Sequence, residues 1–307
     1  TNDEKLVVYA RITDYAGNTV YINTDGAVVD KTASRITMTP EEEPNEYGYY
    51  NHDVPIDINV TEVVEGKSAY SGIKSISYQI VTDGKITREE NLYTFDTEQP
   101  VCSDLEDGYQ ETITVDAGEN NSDHVSVIVT AVDNAGNVHT ENFDLSVNVD
   151  EIKAELSMNG DPYQIAEEEN SGYGRGYFDL DTRQAVITVT DRASAFHEQN
   201  ATEGIKITAV DGNGRPVADA YEIGQWTTSS EDPDVHLATV IFKADANYTW
   251  SFEYENKAGN TLDTEKNLYM EESTVTPFVF TLDTTSPTGT ISIKENIWDK
   301  IIRILTF

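Results

Sequence analysis

The chain has 307 residues, room for about two ordinary domains, and 38% of them are hydrophobic, enough for several small cores and too many for a disordered chain. Its 56 acidic residues against 20 basic ones leave a formal charge of −36, which repels nucleic acids and anionic membrane surfaces, attracts divalent cations and decides nothing about the fold. A single cysteine, Cys102, excludes an intrachain disulfide and is expected to serve as a small hydrophobe, and no apolar run approaches the roughly 18 residues that span a bilayer.

From the N-terminus, Lys5 to Thr13 leads into Asp14-Tyr15-Ala16-Gly17-Asn18, and a second run, Thr19 to Asn23, follows. Asp30-Lys31-Thr32 then precedes a short alternating run, Arg35 to Thr39. The run Glu41-Glu42-Glu43 reads as a solvated loop, with Tyr47, Tyr49 and Tyr50 close behind it. Val54 to Val60 alternates as a strand, and so does Ile73 to Ile80, in which Ile73, Ile76 and Tyr78 or Ile80 compete for the core. His124 to Val132 enters a second motif, Asp133-Asn134-Ala135-Gly136-Asn137, followed by Val138 to Val149. Asp150-Glu151-Ile152 precedes Lys153 to Met158. Ala185 to Thr190, Gly204 to Val210 and His236 to Lys243 read as strands, with Asp211-Gly212-Asn213-Gly214 as a turn. Tyr248 to Glu255 enters a third motif, Asn256-Lys257-Ala258-Gly259-Asn260, with a return strand expected from Thr261 onward. Asp283-Thr284-Thr285-Ser286-Pro287 precedes Thr288 to Ile293, and no segment shows a long helical period.

The three motifs are in register. Their last residues, Asn18, Asn137 and Asn260, lie 119 and 123 residues apart, about one sandwich domain per step. Counting back two, four and six places from each motif gives Ile12, Ala10 and Val8, then Ala131, Val129 and Val127, then Tyr254, Phe252 and Trp250. Such spacing marks strands with one buried face, so each motif is expected to be a hairpin tip, its Asx residue accepting backbone bonds and its Gly taking a left-handed conformation. The junction acids then divide the chain into the last hairpin of an upstream domain (1–30), two whole sandwiches (31–150 and 151–283) and the opening of a downstream one (284–307). The fold class is all-β. The chain reads as a cut-out from a longer array, or as the product of a partial gene; in a fragment, secretion and anchoring signals would lie outside it.

These motifs resemble the bacterial immunoglobulin-like repeats of large Gram-positive surface proteins. The resemblance rests on the D-x-A-G-N hairpins, on the D-x-T-x-P junction at Asp283, Thr285 and Pro287, and on the stretch from Ser71 to Tyr78. Asn256 departs from the pattern, and the first two junctions lack the proline. The resemblance implies an extracellular, cell-surface or cell-wall location and a role as spacer, stalk or adhesin module.

Signatures of catalysis are missing: there is no nucleophile elbow, phosphate-binding loop or zinc-protease motif, and His52, His124, His139, His197 and His236 are scattered. An enzyme is not expected, and no cofactor except calcium suggests itself. Calcium takes carboxylate and carbonyl oxygens, which Asp14, Asp30, Asp133, Asp150 and Asp283 could offer at hairpins and junctions; the alternative is that these residues cap turns or stay solvated. Tyr49, Tyr50 and Tyr177 could form a glycan platform, or pack along strand edges. Lys–Asn isopeptide links would stiffen a stalk, though no spacing singles out a triad. The expected role is a structural spacer whose partners are neighbouring domains of the same chain, with no nucleic acid and no membrane insertion. The alternatives are an adhesin for host glycan or protein, carried by unlike insertions at 85–124 and 160–182, and an accessory domain of a carbohydrate-active enzyme.

Overall fold

The computed structural model describes residues 4–63, 70–95, 108–167, 174–270 and 275–291, and Cys102 lies outside them. The chain opens with β1 (Glu4–Leu6), β2 (Tyr9–Thr13), β3 (Thr19–Asn23) and β4 (Ala27–Val29). β1 pairs with β4, and β2 pairs with β3 so that Ala10 faces Ile22 and Ile12 faces Val20. The apolar side this creates is uncovered: Val8 is 65% and Ile12 54% exposed. The corresponding residues of the other two motifs are core, which is what separates a lone hairpin from one closed by a second sheet.

The first sandwich is built from β5 (Arg35–Pro40), β6 (Tyr49–Tyr50), β7 (Val54–Thr61), β8 (Ile73–Thr82), β9 (Lys85–Thr94), β10 (Tyr109–Val115), β11 (Val125–Asp133) and β12 (Val138–Val147). One sheet has the order β10-β7-β5 and the other β6-β12-β11-β8-β9. The chain crosses repeatedly between them, and β6 lies parallel to β12 at the edge, the immunoglobulin-like arrangement. Val54, Ile56, Ile58 and Val60 from one sheet meet Val125, Val127, Val129 and Ala131 from the other. Burying such a side chain contributes about 1.5–3 kcal/mol. The competition within β8 has no loser: Ile73, Ile76, Tyr78 and Ile80 are all buried. The pairing of β11 with β8 slips between Val132 and Asp133, so that Asp133 faces Ile73, and this irregularity turns Ile73 inward although it stands an odd number of residues from Ile76.

The second sandwich is built from β13 (Lys153–Met158), β14 (Gln164–Glu167), β15 (Gly174–Phe178), β16 (Arg183–Thr190), α1 (Glu198–Glu203), β17 (Ile205–Val210), β18 (Tyr221–Ile223), β19 (Thr227–Thr228), β20 (Val235–Phe242), β21 (Ala246–Phe252), β22 (Leu268–Met270) and β23 (Val275–Leu282). One sheet runs β18-β20-β16-β13-β22, with β19 also on β20, and the other runs β14-β15-β23-β21-β17. Its core is aromatic, with Phe178, Phe242, Tyr248, Trp250 and Phe280 all buried. Arg183 lies 3.7 Å above the Phe178 ring and 4.5 Å from that of Phe280, and burial lowers its pKa to about 10.

Two expectations are corrected. The third motif is not followed directly by its return strand: only Glu255 and Thr261 bridge across it. The chain then crosses to the opposite sheet as β22, parallel to β13, and returns later as β23. The two supposed insertions are in large part scaffold, since 85–124 supplies β9 and β10, and 160–182 supplies β14 and β15.

Candidate functional site

The motif is a defined turn. In each copy the first residue's N–H donates to the fifth residue's carbonyl and the fourth residue's N–H returns to the first, at 2.9–3.1 Å. The fourth residue is Gly17, Gly136 or Gly259 at φ 89°, 90° and 85°, where a side chain would be strained. The first side chain caps the turn, taking the N–H of Asn18, Asn137 or Asn260. The Asn18 side-chain amide, and then its backbone N–H, hold the Asp14 carboxyl below its usual pKa.

A fourth copy of this turn occurs where no joint is. Asp211 donates to the Arg215 carbonyl, Gly214 (φ 79°) donates back, and Oδ1 of Asp211 accepts the Arg215 N–H. Arginine in fifth place therefore suffices for the turn; the asparagine amide adds a bond within it at Asn18 and Asn137, and at Asn137 and Asn260 it also reaches beyond it. Asn137 donates its amide to the carbonyl of Asp30 at 3.3 Å, and Asn260 donates to the carbonyl of Asn148 at 2.9 Å. Each asparagine thus ties the far end of its own sandwich to the segment leading into it.

That segment is itself a repeated turn. Oδ1 of Asp30, Asn148 and Asp283 accepts the N–H two residues on, from Thr32, Asp150 and Thr285. The residue equivalent to Asp30 and Asp283 is therefore Asn148, two places before the Asp150 expected there. Asn148 is fully buried and Asp283 is exposed.

Between the sandwiches only residues 148–152 separate β12 from β13. Beyond the Asn260 bond, three further sets of contacts stand out at the joint. The first is Arg192, two residues past the end of β16, with its side chain 18% exposed. Its Nη2 meets Asp150 Oδ2 at 2.7 Å and donates to Asn121 Oδ1 at 2.6 Å and to the Asn121 carbonyl at 3.3 Å. Its Nη1 donates to Asp123 Oδ1 at 3.2 Å and to the Val147 carbonyl at 3.0 Å. Ser194 donates to the other oxygen of Asp123. The second is a small apolar cluster of Tyr49, Ala195 and Ala258, in which the motif's alanine meets a tyrosine of the preceding sandwich. The third is Asn45, whose amide donates to the Lys257 carbonyl at 2.8 Å while its Oδ1 takes the N–H groups of Tyr47 and Tyr49.

The departure at Asn256 has a physical reason. Its amide donates to Asp191 Oδ1 at 2.9 Å, and the Tyr254 hydroxyl donates to Asp191 Oδ2 at 2.7 Å. Asp191 is only 3% exposed. Burial raises its pKa, and the bonds from Asn256 and then Tyr254 act against that shift. An aspartate at 256 would set a second buried carboxylate against it.

The residues expected to bind calcium or glycan are dispersed. Asp14 and Asp133 cap turns; Asp30 also takes the Ser71 N–H; Asp150 pairs with Arg192; Asp283 caps the last turn. Among the described residues no three His, Cys, Asp or Glu side chains converge as a metal-ligand group. Tyr49 and Tyr50 are largely buried but line the groove beside Tyr47, whereas Tyr177 on β15 is 39% exposed. The exposed ring at the joint is that of Tyr47, edge-on to His197 with centroids 5.2 Å apart. The two border a groove of about 640 Å³ between the sandwiches, lined also by Glu43, Glu46, Asn51 and Asn200. Sequence reasoning missed Asn121, Asp123, Arg192 and His197, which carry no spacing signal; they meet only through the joint.

The sequence matches no protein-family model and no curated protein. Among solved structures the chain is similar to Rst D1-D2, at 15% identity over 78% of this chain and 100% of that one, with a TM-score of 0.34. It is similar to a 1.5-MDa bacterial ice-binding adhesin, described in connection with host cell surface retention, at 15% identity over 85% and 71% of the two chains and a TM-score of 0.30. It is also similar to extracellular domains 3–5 of Drosophila OTK, at 13% identity over 78% and 67% and a TM-score of 0.24.

Proposed function

We propose that this chain is a spacer segment of a bacterial surface protein of the Gram-positive immunoglobulin-like repeat type, holding other domains away from the cell wall. The observation that supports this reading is the joint: a linker of five residues tied from both sides by Arg192, Asn260 and Asn45. Each sandwich buries its own core, and the contacts between them act on orientation. The test is small-angle X-ray scattering of the full chain. A stiff spacer gives one narrow set of elongated shapes, and Arg192→Ala combined with Asn260→Ala broadens it. A broad ensemble for the unaltered chain refutes the proposal.

The groove beside Tyr47 favours an adhesin as the second reading, because an exposed ring flanked by amides and carboxylates suits a glycan. A glycan and matrix-protein array run on the full chain and on Tyr47→Ala decides it. Specific binding lost in the variant supports the groove, and no binding removes this reading.

A further inference from the structure

Arg192 is surrounded like a metal ion. Two carboxylate oxygens (Asp123 and Asp150), one amide oxygen (Asn121) and two backbone carbonyls (Asn121 and Val147) converge on one guanidinium at 2.6–3.3 Å. All five belong to the first sandwich and its exit segment, and the cation comes from the second. Such a mixture of carboxylate, amide and carbonyl oxygens is the ligand chemistry of calcium. The cage is also braced independently of the arginine: Asn121 donates to Asp150 Oδ1 and accepts the Val149 N–H, and Ser194 holds Asp123.

We propose that Arg192 is the resident cation of a calcium-type oxygen cage, so that this joint is set without metal and becomes a calcium site when the guanidinium is removed. The inference deepens the spacer reading and rests on it only for its purpose, the holding of one orientation. The acidic chain draws divalent cations to its surface, and a tethered arginine makes this joint indifferent to their concentration. Three of the five oxygens surround Nη2 at 2.6–3.3 Å, and closing in on a calcium ion in its place would bring them to its usual 2.3–2.6 Å, with water completing its shell. Magnesium, which needs near-ideal octahedral geometry at 2.0–2.1 Å, fits such an irregular set poorly.

The experiment compares the full chain with Arg192→Ala by calorimetric titration of CaCl2 and of MgCl2, and by thermal unfolding in calcium and in chelator. Arg192→Ala is expected to gain one calcium site with Kd about 10⁻⁴–10⁻³ M, the range of extracellular modules. Calcium at tenfold Kd should recover most of the lost unfolding midpoint, magnesium should not, and Asp150→Asn in the same background should abolish the gain. If Arg192→Ala folds poorly, Arg192→Met keeps the apolar stem without the charge and is titrated instead. No calcium gain over the unaltered chain, equal response to magnesium, or a gain that survives Asp150→Asn overturns the inference. A loosened joint in the unaltered chain on chelation overturns it as well. A flexible unaltered chain whose Arg192→Ala form still gains the site would sink the spacer reading and leave the cage standing.

Discussion

Replacing Asn256 by Asp, which restores the pattern of the other two motifs, should damage this one. Asn256 and Asp191 are 2% and 3% exposed and 2.9 Å apart through the amide. Two carboxylates at that distance cannot both ionise out of water, so one proton stays on the pair. Holding it at pH 7, about three units above an ordinary carboxyl pKa, costs about 4 kcal/mol. The sign follows from linkage. The folded variant binds a proton that the unfolded chain has released, so the penalty is full at pH 7 and fades as pH falls toward about 4. Urea unfolding of the full chain reads this directly, because Trp226 and Trp250 both belong to the second core and report on it. With a urea slope of 1–3 kcal/mol/M, the midpoint at pH 7 should fall by about 2 M. At pH 4.5 most of that difference should disappear. A loss below 1 kcal/mol, or one equal at both pH values, would refute the reasoning about Asp191.

Arg192→Ala should lower the tryptophan-reported thermal midpoint. The pair lies between exposed bridges worth about 0–1 kcal/mol and buried ones worth about 3–5 when broken, so about 2 kcal/mol and a shift of about 4–8 °C are expected. A double-mutant cycle with Asp150→Ala should return a coupling energy of at least about 0.5 kcal/mol, and additive effects would count against the clamp. Asn260→Ala should leave its turn intact, as Arg215 does in the Asp211 turn, while costing about 1 kcal/mol at the joint; hydrogen exchange of the Asn260 amide checks the turn, and its loss of protection would show that the asparagine is needed locally. His236, stacked 3.8 Å from Phe196, has its pKa lowered chiefly by burial, with Asp191 and Asp234 acting the other way. Its lowered pKa makes the second sandwich lose stability as pH falls below about 6.5, where the unfolded imidazole takes up a proton first. Melts from pH 7.5 to 5.5 on the chain and on His236→Gln should differ in slope, and equal slopes would remove His236 as the cause.

Local pattern alone determined much of this protein. Alternation in Val54 to Val60 and His236 to Lys243 names strands and their inner faces, because side chains on a strand alternate whatever the strand pairs with. The three motifs announce turns for a similar reason: an Asx side chain and a glycine three residues apart satisfy their own bonds within the turn. Tertiary structure decided what pairing must supply. Ile73 and Ile76 share a face only because β11 slips beside them. The chain leaves the third turn for the opposite sheet because β13 offers an open edge there. The clustering of Tyr47, Tyr49 and Tyr50 behind a loop cannot distinguish a ring facing solvent from one covered by the next domain's Ala258, as that of Tyr49 is. Arg192 is silent for the same reason. Its meaning lies in oxygens 42 to 71 residues away in sequence, brought to it only when one sandwich docks on another.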